Sequence, residues 1–282
     1  MREIKFENER GQALIIGDGS DYALTSITGI NPPTANIQTS SIANFDGTTY
    51  ISSVVNQRNI VIALQLRGDV EANRLHLYNI FKIKRKGTFT YKSSLIEAQI
   101  EAHVETVDVP PMTYPVVALI SLICPKPYFE ALDSIIADIT SIDGELSFPL
   151  ELVSAGIELG NLQTLQEVNV INPGDISIGM IIRFRAVGDV VKPKLLNTQT
   201  LEFIELDTSM IAGDIITIKT EIGQKRIELN RGGVITNIFN TLVIGSKFIQ
   251  LNEGDNVLYG SATSGSAALL IEVEYRAKYS GV

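Results

Sequence analysis

The 282-residue chain contains no tryptophan, one cysteine and two histidines, and each shortage removes a class of function. A single cysteine, Cys124, excludes an internal disulfide framework and a cysteine zinc site. His76 and His103 stand far apart in the sequence, on different expected elements, and a solvated role suits them better than a metal pair. Without tryptophan, the flattest platform for stacking a sugar is missing, although nine Tyr and ten Phe keep a carbohydrate-binding reading open. Long apolar runs are lacking too. The most apolar stretch, Val116–Cys124, is far short of the roughly 20 residues a spanning helix needs, so no membrane insertion is expected. The opening MREIKFENER is charged throughout and no Asn-x-Ser/Thr occurs. Neither a signal peptide nor glycosylation is expected, and synthesis in a reducing cytoplasm follows.

Positive charge is also in short supply. The chain holds 23 Lys+Arg against 32 Asp+Glu, a net charge of −9. Residues 1–130 are nearly balanced at −1, and residues 131–282 carry −8. An acidic surface repels phosphate, so sequence-specific nucleic-acid binding is not expected. The one basic cluster, Lys82, Lys84, Arg85 and Lys86, reads as a complement to a helix C-terminus.

What is present is β pattern. Ile96, Ala98, Ile100, Ala102 and Val104 alternate with charged or polar neighbours, which predicts a long half-exposed strand over Leu95–Asp108. Ile60, Ile62, Leu64 and Leu66 mark another strand, ended by Gly68-Asp69. Asp69 can cap a helix over about Val70–Phe81, with Leu77/Phe81 and Leu75/Tyr78 as its apolar pairs. Val116–Cys124 reads as a strand buried on both faces. Pro125 and Pro127 stop it and mark a boundary between residues 1–130 and 131–282. The second part predicts strands at Leu146–Val153, Glu167–Asn172, Met180–Val187, Leu201–Leu206, Ile215–Thr220, Arg226–Asn230, Lys247–Leu251 and Ala267–Arg276. Short strands between Gly/Asn/Asp turns argue a jelly-roll sandwich. The fold class expected is therefore mainly β: an N-terminal α+β sandwich-like domain with one helix, then an all-β C-terminal sandwich.

Between Asn31 and Arg58 the pattern weakens to a polar stretch around Asp46-Gly47. An extended hairpin arm and a disordered loop both fit it. If it is an arm, Ile37, Phe45, Asp46, Gly47, Tyr50, Val54 and Arg58 are its candidate inter-subunit residues. No catalytic constellation is found. G-x-S-x-G and Walker-type Gly-Lys-Ser/Thr are absent, and Gly17-x-Gly19 lacks its third glycine at Tyr22. The Gly-Asp pairs are turn chemistry without calcium-loop spacing. No enzyme activity, cofactor or metal is expected.

One combination of these pieces resembles a known family, the distal tail proteins of siphophages. It comprises Arg58–Leu64, Gly68-Asp69, Arg74-Leu75, Lys86-Gly87-Thr88 and the Cys124–Phe129 punctuation, preceded by Ile27–Ile30. In the second half Val170–Asp175, Pro193–Asn197, Gly213–Ile218 and Leu251–Asn256 resemble the same family. Glu253-Gly254-Asp255-Asn256 departs from its Pro-Gly-Asn, and the loop Gly232–Ser246 is longer and more apolar than the family leads one to expect. The resemblance implies a hexameric ring hub at the distal end of the virion tail. It would join the tail-tube protein to the tail-associated fibre or lysin and to receptor-binding or baseplate proteins, and leave a channel for DNA. It also implies a ring-forming first domain and a galectin-like second one. The alternative is a carbohydrate-binding adhesin recognising the host cell wall.

Overall fold

The computed structural model describes residues 3–17, 19–44, 46–111, 113–139, 141–143, 161–163 and 167–282. The chain forms two units, residues 1–132 with 278–282, and residues 133–277. A division at 130/131 would leave 278–282 with the second unit. They return to the first because Lys278–Tyr279 pairs with Phe129–Glu130, and Tyr279 and Val282 pack on the first core.

In the first unit the strands are β1 (Glu3–Asn8), β2 (Ala13–Ile16), β3 (Tyr22–Thr28), β4 (Ala35–Ser41), β5 (Thr48–Val55) and β6 (Arg58–Leu66). After helix α1 (Val70–Ile80) come β7 (Lys86–Lys92), β8 (Glu97–Asp108), β9 (Val117–Cys124) and β10 (Phe129–Ala131). One sheet runs β2-β1-β7-β8-β9-β6-β3, with β10 on β8 and Lys278–Tyr279 on β10. Its inner face buries Phe6, Ile62, Leu64, Phe89, Ile100 and Leu122, packed with Leu77 and Ile80 of α1. The alternation read along β8 places Ala98, Ile100, Ala102 and Val104 inside and Glu97 and Glu101 outside.

Two local expectations need correcting. On α1 the Asp69 carboxylate does accept from Ala72 N–H at 3.1 Å, but Leu75 and Tyr78 point to solvent. Leu77, Ile80 and the residue after the helix, Phe81, face the sheet, because they share the stripe that meets Phe6. Strand β9 is buried on one face only. Ala118, Ile120, Leu122 and Cys124 are inside, whereas Leu119 is 44% exposed. An apolar side chain on each side of a strand does not require two covering layers. The last turn of α1 itself has no basic residue, and the basic cluster starts just past its C-cap Phe81. It forms the connector to β7, where Lys84 takes a left-handed φ of 67° and Arg85 pairs with Glu9 at 2.8 Å.

The second unit contains β11 (Ile135–Asp138), β12 (Ser141–Asp143), β13 (Asn161–Gln163), β14 (Glu167–Asn172), β15 (Ile181–Ala186), β16 (Val190–Asn197) and β17 (Phe203–Glu205). It continues with β18 (Ser209–Met210), β19 (Ile215–Lys219), β20 (Arg226–Arg231), β21 (Val234–Asn237), β22 (Gly254–Ser264) and β23 (Leu269–Tyr275). A six-stranded sheet, β11-β23-β15-β19-β20-β21, and a five-stranded one, β14-β22-β16-β17 with β18 on β16, enclose a single core. Ile182, Phe184, Ile216 and Ile271 come from the first sheet, and Val170, Leu195, Ile204 and Leu258 from the second. β12 and β13 pair with each other.

The expected strand Leu146–Val153 lies outside the described residues. Lys247–Leu251 is not a strand and makes one isolated bridge, Ile178 to Leu251. β11, β12, β13, β16, β18, β21 and β22 escaped the sequence pattern, and β22 and β16 are the longest of them. β22 is hidden in a glycine- and serine-rich stretch, and β16 contains Pro193, which argues against an inner strand. The sheet tolerates Pro193 where β16 passes from partner β18 to partner β17, with Lys192 at φ 52° just before it.

A buried carboxylate stabilises this unit. Asp214 is almost wholly enclosed, accepts from Ile211 N–H at 2.9 Å, and receives Nε and Nη2 of Arg231. The Arg231 guanidinium and the Ile211 amide hold its carboxyl below the usual carboxylate range, against the opposing effect of burial. A carboxyl with a lowered folded-state pKa adds stability at pH values above its unfolded value of about 3.9, and that stability is lost as pH falls through the lower folded value. Asp214→Asn should therefore reduce the second unit's stability at neutral pH and flatten its decline in acid. Thermal unfolding between neutral pH and about pH 2 checks this. An acid slope unchanged by the substitution would contradict it.

Candidate functional site: the hairpin arm

The residues from Asn31 to Gln57 contain one charged side chain, Asp46. Their strand-prone members, Ile37, Tyr50, Ile51, Val54 and Val55, belong to neither core, and among the described residues β4 and β5 pair only with each other. The result is a two-stranded hairpin, registered from Ala35–Val55 to Ser41–Thr48, that contributes nothing to the buried core. An isolated hairpin of this kind is marginal in water unless its face is covered.

The register shifts between Gln38 and Thr39, where Ile51 is an extra residue on β5. This bulge decides which side chains share a face. Ala35, Ile37, Ser53 and Val55 lie on one side, and past the bulge Thr39 and Tyr50 continue it. Tyr50 Oη and Ser53 Oγ are 2.9 Å apart along this face. Asn36, Gln38, Ser52 and Val54 line the other, with Ser52 Oγ donating to Gln38 Oε1 at 3.3 Å. The arm thus exposes apolar side chains on both faces, Ile37 and Tyr50 on one and Val54 on the other, among amides and hydroxyls.

Of the residues singled out from sequence, Ile37 and Tyr50 are each 61% exposed and Val54 is 52% exposed. Asp46 and Gly47 sit exposed at the turn, Gly47 with φ 100°. Phe45 lies outside the described residues. Arg58 is placed differently. It begins β6 at the arm's root and is 4% exposed, so its guanidinium is directed into the unit and cannot meet a neighbour. Ile42 and Ile51, both more than half exposed, were missed. The missing charge around them was the available signal.

The outward face of β1, β7 and β8 carries a groove of about 280 Å³ lined by Glu3, Lys5, Thr88, Thr90, Lys92 and Gln99, among others. Both of its lysines are paired, Lys5–Glu7 at 2.6 Å and Lys92–Glu97 at 2.8 Å. His76 stacks loosely on Tyr22 and His103 lies 3.6 Å from Glu101, so the two histidines do not meet. Among the described residues no group of three or more His, Cys, Asp or Glu could hold a metal ion. Cys124 is buried, and burial pushes its thiol up to about 12, which suits a core residue rather than a nucleophile. No helix among the described residues is long and apolar enough to cross a membrane.

Residues 173–279 match the siphovirus-type tail component, C-terminal domain. Likeness to solved structures extends over both units. The crystal structure of the Dit protein (gp 19.1) of phage SPP1, described as a paradigm of the hub adsorption apparatus in phages infecting Gram-positive hosts, is similar over 98% of each chain. The TM-score is 0.69 at 14% identity. A chain of the phage P2 baseplate in its calcium-activated conformation is similar over the whole of both chains, with a TM-score of 0.51 at 11% identity. No curated protein matches the sequence. The likeness to distal tail proteins first read from short motifs is thus supported by the family match and by the fold. The family match supports a structural role in a siphovirus-type tail.

Proposed function

We propose that the chain is the ring-forming hub of a siphophage or prophage tail tip. Six copies assemble through their first units, and each arm lies on the neighbouring copy. The observation that carries this reading is a hairpin with no charge but Asp46, whose exposed Ile37, Tyr50, Ile51 and Val54 are not packed into either core among the described residues. Burying these side chains against a second copy stabilises both the hairpin and the assembly at about 25 cal/mol per Å² of apolar area. In this reading the ring joins the tail-tube protein to the tail-associated fibre or lysin, and its channel lets DNA through without gripping it. The acidic second unit, where the −8 of residues 131–282 is concentrated, docks receptor-binding or baseplate proteins. The protein is made in the host cytoplasm and works in the virion without catalysis. Native mass measured on the full chain at micromolar concentration tests the ring: six times 30.8 kDa is expected. A chain that stays monomeric at all concentrations contradicts it.

A further inference from the structure

The arm can act on a neighbour only if its root is held. Its two ends enter the body at residues 29–34 and 56–58, and the first is gripped from two sides. Below, Gly29 lies so close to β6 that a Cβ there would stand 1.9 Å from Asn59 O, and its φ is 84°. Above, the last five residues cross over it. Val282 N–H donates to Ile30 O at 3.1 Å, and Gly281 rests on Pro32 with room for no side chain, since a Cβ would stand 2.7 Å from Pro32 Cδ.

Arg58 joins these layers. Its Nη1 donates to Gly29 O at 2.7 Å and Asn31 O at 2.9 Å, Nη2 to Ser280 O at 2.5 Å, and Nε to Pro127 O at 2.7 Å. The guanidinium lies 4.7 Å from the Phe129 ring centroid. All four acceptors are backbone carbonyls from three separate segments. A buried cation satisfied by carbonyls rather than a carboxylate is costly to desolvate, and burial lowers its pKa. The planar five-donor fork of arginine makes all four of these bonds, one more than the three donors of a lysine ammonium allow.

We propose that Lys278–Val282 is a strap that fixes the arm's root through Arg58, so that assembly by the arm depends on residues remote from it in sequence. The strap is itself tied down, by pairing of Lys278–Tyr279 with Phe129–Glu130 and by Tyr279 and Val282 against the core. Arg58 is thus a positioning residue: it touches no partner but sets the direction from which the hairpin leaves.

This inference rests on the arm reading, and two readouts separate them. The first is hydrogen exchange in the full chain, in a peptide covering residues 26–34. Removing residues 280–282, or making Arg58→Lys, should speed exchange there by on the order of tenfold, while residues 3–16 and the second unit are unchanged. The second is native mass, which should fall from ring to monomer in both variants. The truncated Arg58→Lys chain should be no worse than the more affected single variant, because both changes break one latch. Faster exchange at the root with the ring intact would overturn the dependence of assembly on the strap. Unchanged exchange at residues 26–34, or a rise spread evenly over the first unit, would overturn the latch itself, whether or not the chain forms rings.

Discussion

A chain lacking Ala35–Val55, with the gap closed by a short Gly-Ser bridge, is expected to fold and to remain monomeric. Ala35 and Val55 are paired across the hairpin, so their Cα atoms lie only about 5 Å apart and a few residues span the gap without strain. None of the removed side chains belongs to the buried core of the first unit. The melting temperature of the isolated subunit should therefore stay within a few degrees of that of the parent subunit. Assembly should be lost outright, because the deletion removes Ile37, Tyr50, Ile51 and Val54 at once. Tyr50→Ser with Ile37→Ser is the gentler version and should weaken the ring by at least about tenfold, since two side chains lose most of their buried area. Sedimentation of the deleted chain decides the matter. A particle of undiminished subunit number would show that the ring contacts lie elsewhere on the first unit.

Phe6→Ala should damage the first unit more than any surface change. Phe6 is fully buried, stacks on Phe81 with ring centroids 4.4 Å apart, and lies over Gly87, where a Cβ would stand 2.4 Å from its Cζ. Glycine at position 87 leaves the ring its space, and removing the ring leaves a cavity that β1, β7 and the end of α1 cannot all close. Such a truncation costs about 3–5 kcal/mol. The second unit has its own core with no member in common. Calorimetry should show the first unit's transition lowered by roughly 10–20 °C and a second transition near its original temperature. One cooperative transition that shifts as a whole would mean the two cores do not melt independently.

The sequence by itself determined what depends on local pattern. The period-2 alternation along Ile96–Val104 set the two faces of β8, Asp69 set the start of α1, and the stop at Pro125 and Pro127 ended β9. The polar stretch around Asp46-Gly47 allowed an arm but left a disordered loop equally open, since neither reading depends on a core. Short motifs spread over the whole chain were enough to suggest the tail-component family, because turn residues at fixed offsets survive when the strands between them change.

Tertiary structure alone decided the rest. Arg58 read as an arm residue because it follows the arm in sequence, but its fate depends on carbonyls supplied by residues 29, 31, 127 and 280. No local rule brings those together. Strand β16 was hidden by Pro193, and the missing N–H is tolerated only because two different partners meet the strand at that point. The bulge at Ile51, which puts Tyr50 on the face of Ile37, is a property of pairing between two strands and leaves no trace in either one. The return of residues 278–282 to the first unit is the largest such case, because a strand of two residues has too little pattern to announce its partner. Local sequence specifies which residues seek burial. Which residues they find is fixed only when distant segments of the chain compete for the same space.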